Sequence, residues 1–122
     1  MRYLCLIYLD EKEMDALPAA EMNSLNVRHL ELNDALRESG HFIAAEALEP
    51  AASTACVRMN GRKPTVTDGP FIETKEQVAG FYLIEARDLN EAIHIAGQLP
   101  GGQLGTVEVR PVRQLLVDGK AP

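Results

Sequence analysis

The sequence predicts an α+β fold in which one antiparallel sheet is covered by helices on a single face. The main observation is the order of segments. Apolar stretches of strand length alternate with helical periodicity as strand, helix, strand, hairpin, strand, helix, strand. The 122 residues correspond to one domain, and 46% hydrophobic with 25% charged residues is an ordinary globular composition. We place the domain at residues 1–112 and a C-terminal tail at residues 113–122.

The first half of the chain predicts a strand, a helix and a second strand. Residues 2–9 are apolar on both faces, which is typical of a strand covered on both sides. Residues 10–17 are interpreted as a loop. A helix is predicted over residues 18–39, because Pro suits a first helical turn and a glycine follows at the C-terminal end. Apolar steps of three and four give it one seam facing the sheet: Met22, Leu25, His29, Leu32 and Leu36. The second strand is predicted over residues 41–48.

A hairpin and a further strand follow. The hairpin is predicted over residues 55–67, because Asn60-Gly61 favours a two-residue turn with positive φ at both positions. Residues 68–77 are predicted to be a polar loop, and residues 80–86 are predicted to be a strand.

The last segment predicts a helix and an edge strand. Asp88 is suited to cap a helix, with Glu91 three residues later as its capping-box partner. The apolar residues of this helix are expected on one face: Leu89, Ala92, Ile93, Ala96 and Leu99. Residues 105–112 alternate as an edge strand does, and their proline fits a strand end.

Two strand-helix-strand halves with right-handed crossovers give the split, ferredoxin-like arrangement with an inserted β-hairpin. Two helices cover only one face of such a sheet. Yet residues 2–9 are apolar on both sides, and residues 81–84 nearly so. The uncovered face would be a large apolar patch, which monomers rarely expose. We therefore predict a homodimer closed by two-fold symmetry.

Charge and composition exclude several classes of function. The formal net charge is −6, and residues 10–49 hold ten acidic against three basic side chains. No basic stripe is present for nucleic acid, and the chain has no Trp for base stacking. No apolar run approaches the roughly 20 residues of a membrane helix. No signal-peptide cleavage pattern follows the first apolar run, so we expect a cytoplasmic protein without membrane contact.

The two cysteines, Cys5 and Cys56, match no zinc-ligand spacing. Cys5 is expected to be a buried, reduced thiol because it lies inside an apolar strand. We predict neither a metal site nor a cofactor.

The densest polar cluster spans residues 65–76, and it has two interpretations. Asp68 followed by Gly and Pro is turn chemistry, so the segment can be a well-formed loop and nothing more. Alternatively, the loop presents polar side chains at the mouth of a pocket, since binding residues favour loops on a rigid scaffold. These side chains are Asp68, Thr74, Lys75 and Glu76.

The segments VTDGPFIETKEQVAGFYLIEARDLNEAI at residues 66–93 and VEVRPV at residues 107–112 closely resemble the YCII-related family in its DGPF-domain branch. That branch typically reads TDGPFAETKEQLGGFYLIE. The resemblance covers nearly the whole chain. It implies a dimeric α/β barrel and a bacterial cytoplasmic protein. Members are often found alongside extracytoplasmic-function sigma factors, so a sigma factor is an implied partner.

The resemblance also implies a catalytic pair, because the family's helix histidine falls on His29 and its motif aspartate on Asp68. From the residues alone, His29 is either a core residue on an apolar seam or a general acid/base oriented by a carboxylate. In the second case Lys75 or Arg58 would stabilise developing negative charge. Phe71, like other aromatic residues, would line a small-molecule pocket or simply pack.

Two function hypotheses follow. The first is a cofactor-free enzyme in which His29 and Asp68 transfer a proton next to the carbonyl of a small organic substrate. The second is a non-catalytic ligand-binding or regulatory module, associated with a sigma factor. The acidic helix face would suit a basic partner or is simply solvated: Glu21, Glu31, Asp34 and Glu38. The variants His29→Ala and Asp68→Asn should abolish turnover in the first case and leave partner binding intact in the second.

Overall fold

Six strands and three helices are present in the computed structural model, which describes residues 1–122. The strands are β1 (Arg2–Asp10), β2 (Phe42–Ala47), β3 (Ala55–Asn60), β4 (Lys63–Asp68), β5 (Glu76–Glu85) and β6 (Thr106–Pro111). The helices are α1 (Glu11–Asp15), α2 (Ala19–Glu38) and α3 (Leu89–Ala96). Short 3-10 turns cover Ala51–Ser53 and Pro100–Leu104.

The main sheet has four strands in the order β2-β5-β1-β6, and all neighbours are antiparallel. β5 lies between β1 and β2, and β1 lies between β5 and β6, so each strand-helix-strand unit is split by a strand of the other. This is the predicted ferredoxin-like α+β arrangement, and the prediction is confirmed. The hairpin of β3 and β4 forms a separate two-stranded sheet.

The hydrophobic core lies on the helix-covered face of the sheet. Alternate residues of β1 point to it and are at most 5% exposed: Tyr3, Cys5, Ile7 and Leu9. They pack in one cluster with Leu36 of α2, with Ala92 and Ile95 of α3, and with Ile84 of β5. Burial raises the pKa of the Cys5 thiol to about 11, so it stays protonated, as predicted for a buried thiol.

The opposite face of the sheet has no helix over it. Leu4, Leu6 and Tyr8 of β1 point to this face and are only half-buried. Their register partners on β5 include Phe81 opposite Leu6 and Leu83 opposite Leu4. The two-sided apolar character predicted for the first strand is therefore real. We call this surface, centred on Leu4, Leu6, Tyr8, Phe81 and Leu83, the open sheet face.

Several local predictions are wrong. β5 begins at Glu76, inside the loop predicted over residues 68–77. The errors after β1 and in the hairpin turn have simple causes. The segment after β1 begins with helix α1, because the Asp10 carboxylate accepts the backbone N–H of Lys12 at 3.0 Å and caps it. The hairpin turn lies one residue later than predicted. Asn60 pairs with Lys63, so the two central residues are Gly61 and Arg62, and only Gly61 has positive φ, at 64°.

α3 begins as predicted but buries a different face. The Asp88 carboxylate accepts the N–H of Glu91 at 2.9 Å and caps the helix. The buried residues are Ala92, Ile95, Ala96 and Leu99, whereas Leu89 and Ile93 are 44% and 52% exposed. The helix ends at Ala96, three residues before Leu99. Leu99 therefore reaches the core through the turn that follows the helix, and its burial does not come from the helical repeat. None of the helices has the length and hydropathy needed to cross a membrane.

Candidate functional site

His29 lies on the sheet-facing side of α2, in the middle of the predicted apolar seam. Leu25 and Leu36 on the same seam are buried, and His29 itself is half-buried. Its ring stacks on Tyr82 of β5, with ring centroids 5.9 Å apart. The helix therefore presents an imidazole to a tyrosine at the centre of the sheet.

Both ring nitrogens of His29 are hydrogen-bonded within the chain. The backbone N–H of Gly101 donates to Nε2 at 3.0 Å, so Nε2 carries no proton. Nδ1 therefore holds the proton and donates to the Tyr82 hydroxyl oxygen at 2.9 Å. The Tyr82 hydroxyl in turn donates to Asn33 Oδ1 at 2.6 Å. We call these four residues, His29, Asn33, Tyr82 and Gly101, the His29 network.

Electrostatics keep the His29 network neutral. Burial lowers the pKa of His29 below its usual 6.5, and the positive charge of Arg28 lowers it further. Burial raises the pKa of Tyr82 to about 12. A second proton on His29 would also place a donor against the Gly101 N–H. The imidazole is therefore uncharged at neutral pH, with one fixed tautomer.

Asp68 is not a hydrogen-bond partner of His29 in this chain. It is the last residue of β4 and is exposed. The next residue, Gly69, adopts φ 91°, and its N–H donates to the carbonyl of Thr54 at 2.7 Å. The Gly69 carbonyl accepts the Cys56 thiol at 3.3 Å. The chain thus bends at Gly69, which adopts the positive φ that its residue type predicts.

The loop after this turn is fastened by one side chain that the sequence did not single out. The Gln77 amide donates to the carbonyls of Ile72 and Thr74, both at 3.0 Å. The Thr74 hydroxyl donates to the carbonyl of Glu76 at 2.6 Å. Held in this way, the loop leaves Phe71 74% exposed.

The predicted binding residues lie in separate places. Arg58 lies over the Phe71 ring, 5.9 Å from its centroid, on the hairpin side. The Glu76 carboxylate accepts the Thr106 hydroxyl at 2.8 Å, at the edge of the main sheet. Lys75 is exposed and forms no ion pair. None of these residues forms a hydrogen bond with His29.

An open groove of about 350 Å³ lies between α3 and β6. Its walls are Ile93 and Ala96 of α3, Val107 and Val109 of β6, and Gly102 with Gln103 of the 3-10 turn. No charged side chain lines it. Gly101, next to this wall, is the residue that binds His29 Nε2, so the His29 network anchors one side of the groove.

A second polar chain joins Ser39, His41 and Glu91. The Ser39 hydroxyl lies 2.7 Å from His41 Nδ1, and His41 Nε2 lies 3.1 Å from Glu91 Oε1. The backbone N–H groups of residues 39–41 are all bound to α2 carbonyls, so none can stabilise an oxyanion beside Ser39. The arrangement fastens the end of α2 to α3 and does not resemble a nucleophile site. The hydrogen bond from the backbone N–H of Arg87, with smaller contributions from His41 and the Arg87 charge, lowers the pKa of Glu91.

Sequence reasoning found His29 and missed its three partners. Asn33 is four residues after His29 and so shares its helix face, a signal that was available. Tyr82 belongs to the apolar run of β5, which gives no sign of a polar contact. Gly101 contributes only its backbone, and no sequence pattern reveals such a donor. No group of three or more His, Cys, Asp or Glu side chains is arranged to hold a metal ion.

The fold and this site define a small α+β protein with a helix-covered antiparallel sheet and a neutral histidine network between the layers. The family model of the YCII-related domain matches residues 1–116. An uncharacterised protein of Rhizobium meliloti (strain 1021) is 33% identical over 121 residues, with 92% of each chain covered. The chain belongs to the YCII-related family. Membership of the DGPF branch stays a prediction.

Proposed function

We propose that this protein is a non-catalytic, homodimeric module that binds a small, largely apolar molecule. The observation that supports this most directly is the saturation of His29. Acid–base catalysis needs a ring nitrogen within hydrogen-bond reach of the proton it moves. Here Nδ1 is bound to Tyr82 and Nε2 to Gly101, and neither is bonded to Asp68.

The groove between α3 and β6 supports the choice of ligand. Its volume of about 350 Å³ lies within the range of small-molecule sites. Four apolar side chains line it, and Gln103 is the one side chain there with both a donor and an acceptor. A neutral molecule with an apolar body and one polar group matches this lining.

A substitution at Gly97 tests whether the ligand binds in the groove. Gly97 lines the groove, and a Cβ added there would make only ordinary contacts, 3.5 Å to the His94 carbonyl. Gly97→Leu should fill the groove without straining the backbone. Gln98→Leu, at the exposed next residue, is the matched control.

The experiment measures thermal unfolding with a panel of neutral aromatic and aliphatic compounds. A ligand should raise the melting temperature of the wild type and of Gln98→Leu, because binding to the folded state stabilises it. The same ligand should leave the melting temperature of Gly97→Leu unchanged. Equal shifts in all three proteins would place the ligand elsewhere and contradict the proposal.

The homodimer part of the proposal depends on the open sheet face. Leu6, Phe81 and their neighbours are apolar and no element of the chain covers them. Exposed apolar patches of this kind mark interfaces. In a two-fold dimer, the patch of one copy packs against the same patch of the other copy.

Light scattering after size exclusion tests this directly. The wild type is expected to have twice the chain mass of 13.4 kDa. Leu6→Arg should give a monomer, since it places a charge at the centre of the face. Leu89→Arg, on the exposed side of α3, should remain dimeric. A dimeric Leu6→Arg would refute this interface.

Proton transfer by His29 is the second candidate. One observation favours it, namely that the lowered pKa keeps the imidazole in its basic form at neutral pH. Since no hydrogen bond joins His29 to Asp68 in the chain, Asp68 would have to act on His29 through a bridging water or through the substrate. His29→Ala and Asp68→Asn should then each abolish turnover of a small carbonyl substrate. Retained ligand binding without any turnover in the wild type would instead favour the non-catalytic module.

A regulatory role beside a sigma factor rests on the family resemblance alone. The acidic outer face of α2 is the surface that a basic partner would contact. A pull-down with wild type and a Glu31→Lys, Asp34→Lys variant tests it, and equal recovery of the sigma factor would contradict it.

A further inference from the structure

A second, smaller pocket lies against the first half of α2. It has a volume of about 180 Å³, and its lining combines three leucines with three polar side chains: Leu17, Leu25, Leu104, Glu21, Ser24 and Arg28. It shares no lining residue with the groove between α3 and β6, although both contact the 3-10 turn over Pro100–Leu104. The pocket is therefore a separate site, with a charged lining that the groove lacks.

The polar residues of this pocket follow the helical repeat. Glu21, Ser24 and Arg28 are three and four residues apart, so their side chains lie in one row on α2. The two ends of the row are about 10.5 Å apart along the helix axis, at about 1.5 Å per residue. Leu25 is 4% exposed and gives the pocket a buried apolar wall. The row thus presents a negative charge at one end, a positive charge at the other and a hydroxyl between them.

None of these three polar side chains has a partner in the chain. The Arg28 guanidinium forms no ion pair, although Glu31 is three residues further along the helix. The Glu21 carboxylate forms none either, so the two opposite charges of the pocket do not neutralise each other. The side-chain hydrogen bonds made by α2 do not include the Ser24 hydroxyl. All three groups are therefore available to a ligand.

The charges of the pocket define the chemistry of this ligand. The guanidinium of Arg28 presents N–H donors in a fork that matches a carboxylate, and the Ser24 hydroxyl can donate to the same group. The carboxylate of Glu21 accepts hydrogen bonds from an ammonium group. An α-amino acid carries its two charges on adjacent atoms and does not span the row. A molecule with the two charges at opposite ends of an aliphatic chain does.

We propose that this pocket binds an ω-amino acid, with a carboxylate and an ammonium group at opposite ends of a short methylene chain. The carboxylate pairs with Arg28 and Ser24, and the ammonium group pairs with Glu21. The methylene groups pack on Leu25 and Leu104. The pocket volume corresponds to roughly six water molecules at about 30 Å³ each, so the chain is short. The site goes beyond the groove for a neutral ligand and does not depend on the dimer.

An NMR titration of the full-length chain with δ-aminovalerate tests the site. The amide shifts of Leu25 and Leu104 report binding and give the dissociation constant. Valerate and pentylamine have the same carbon chain, and each carries only one of the two charges. We expect δ-aminovalerate to bind about tenfold more tightly than either, because each charged hydrogen bond contributes about that factor.

Substitutions at the two charges should change the preference among these compounds in opposite directions. Glu21→Gln and Arg28→Gln should each weaken δ-aminovalerate binding about tenfold. Glu21→Gln should strengthen valerate binding, and Arg28→Gln should strengthen pentylamine binding, because each removes a charge that repels the analogue. Glu38→Gln and Arg62→Gln are the controls, with the same charge changes at exposed positions outside the pocket. Gly97→Leu, which fills the groove, should bind δ-aminovalerate as the wild type does.

Opposite changes in valerate and pentylamine affinity support the proposal, and circular dichroism verifies that each variant is folded. If δ-aminovalerate shifts neither amide in the wild type, or if the control variants lose as much affinity as the pocket variants, the proposal is wrong. Loss of δ-aminovalerate binding in Gly97→Leu would place this ligand in the groove. That result would overturn the second site and leave the groove as a binding site.

Discussion

The main sheet and the hairpin use strands of similar character, yet only the sheet buries side chains. β5 buries Gly80, Tyr82 and Ile84 under the helices, whereas no residue of β3 or β4 is buried. Both contain alternating apolar residues. The difference lies in the covering layer, which α2 and α3 provide for the sheet and nothing in the chain provides for the hairpin. Strand patterning therefore identifies a surface to be covered and leaves open which molecule covers it.

The largest expected effect comes from removing a buried side chain on the sheet side of this comparison. Ile84 is 0% exposed, so Ile84→Ala should cost about 2–5 kcal/mol of unfolding free energy. Val66→Ala on the hairpin should cost less than about 0.5 kcal/mol in dilute, monomeric protein. Urea unfolding gives both values. Similar losses at the two sites would mean that the hairpin is packed within one chain.

The His29 network extends the comparison to polar groups between the layers. Tyr82→Phe leaves the His29 Nδ1–H and the Asn33 oxygen without their partner, which should cost about 1–3 kcal/mol. Tyr8→Phe is the control, because the Tyr8 hydroxyl on the open sheet face makes no hydrogen bond in the chain. Its effect should stay within about 0.5 kcal/mol. If the two variants lose the same free energy of unfolding in urea, the His29 network does not stabilise the fold.

Substitutions at the cap of α3 test how strongly the stability of the helices over the sheet depends on local sequence. Asp88→Ala removes the acceptor of the Glu91 N–H and should cost about 1 kcal/mol. Asp88→Asn keeps a side-chain oxygen at the same place and should retain most of the stability. Thermal unfolding compares the three proteins, and an Asn variant as unstable as the Ala variant would argue against the cap.

Acidification should have the smallest effect, and its sign follows from His29. The folded pKa lies below the unfolded value of 6.5, so the unfolded chain binds more protons as the pH falls through 6.5. Stability is complete above this pH and decreases below it, by at most about 1.4 kcal/mol per pH unit for one group. His29→Gln should show a flatter profile between pH 7 and 5.5. If the free energy of unfolding in urea depends on pH in the same way in both proteins, the neutral state assigned to folded His29 is wrong.

The sequence predicted the elements that depend on local patterns. The seam of α2, the cap at Asp88 and the edge strand β6 all follow from the spacing of a few neighbouring residues. Helix α1 was missed because its five residues have no apolar periodicity and depend on the Asp10 cap. The hairpin turn was misplaced by one residue because Asn60-Gly61 and Gly61-Arg62 both allow a two-residue turn, and strand register decides between them.

The candidate site was less predictable for the same reason. The sequence identified His29 as a residue that is either structural or catalytic, and it could not name the groups that bind its nitrogens. Tyr82 is 53 residues away along the chain and Gly101 is 72 away, so only the packing of α2 against the sheet brings them together. Such contacts depend on tertiary geometry, which residue types and spacing do not encode locally.

The sequence by itself determined the α+β class, the split strand order, the two apolar faces of β1 and the family. These features depend on periodicity and on local turn and cap chemistry, which act over a few residues. The tertiary structure alone decided the tautomer of His29, the partners of its two ring nitrogens and the isolation of the hairpin. Each of these depends on which surfaces meet, because a hydrogen bond forms only between groups that the fold brings within about 3 Å.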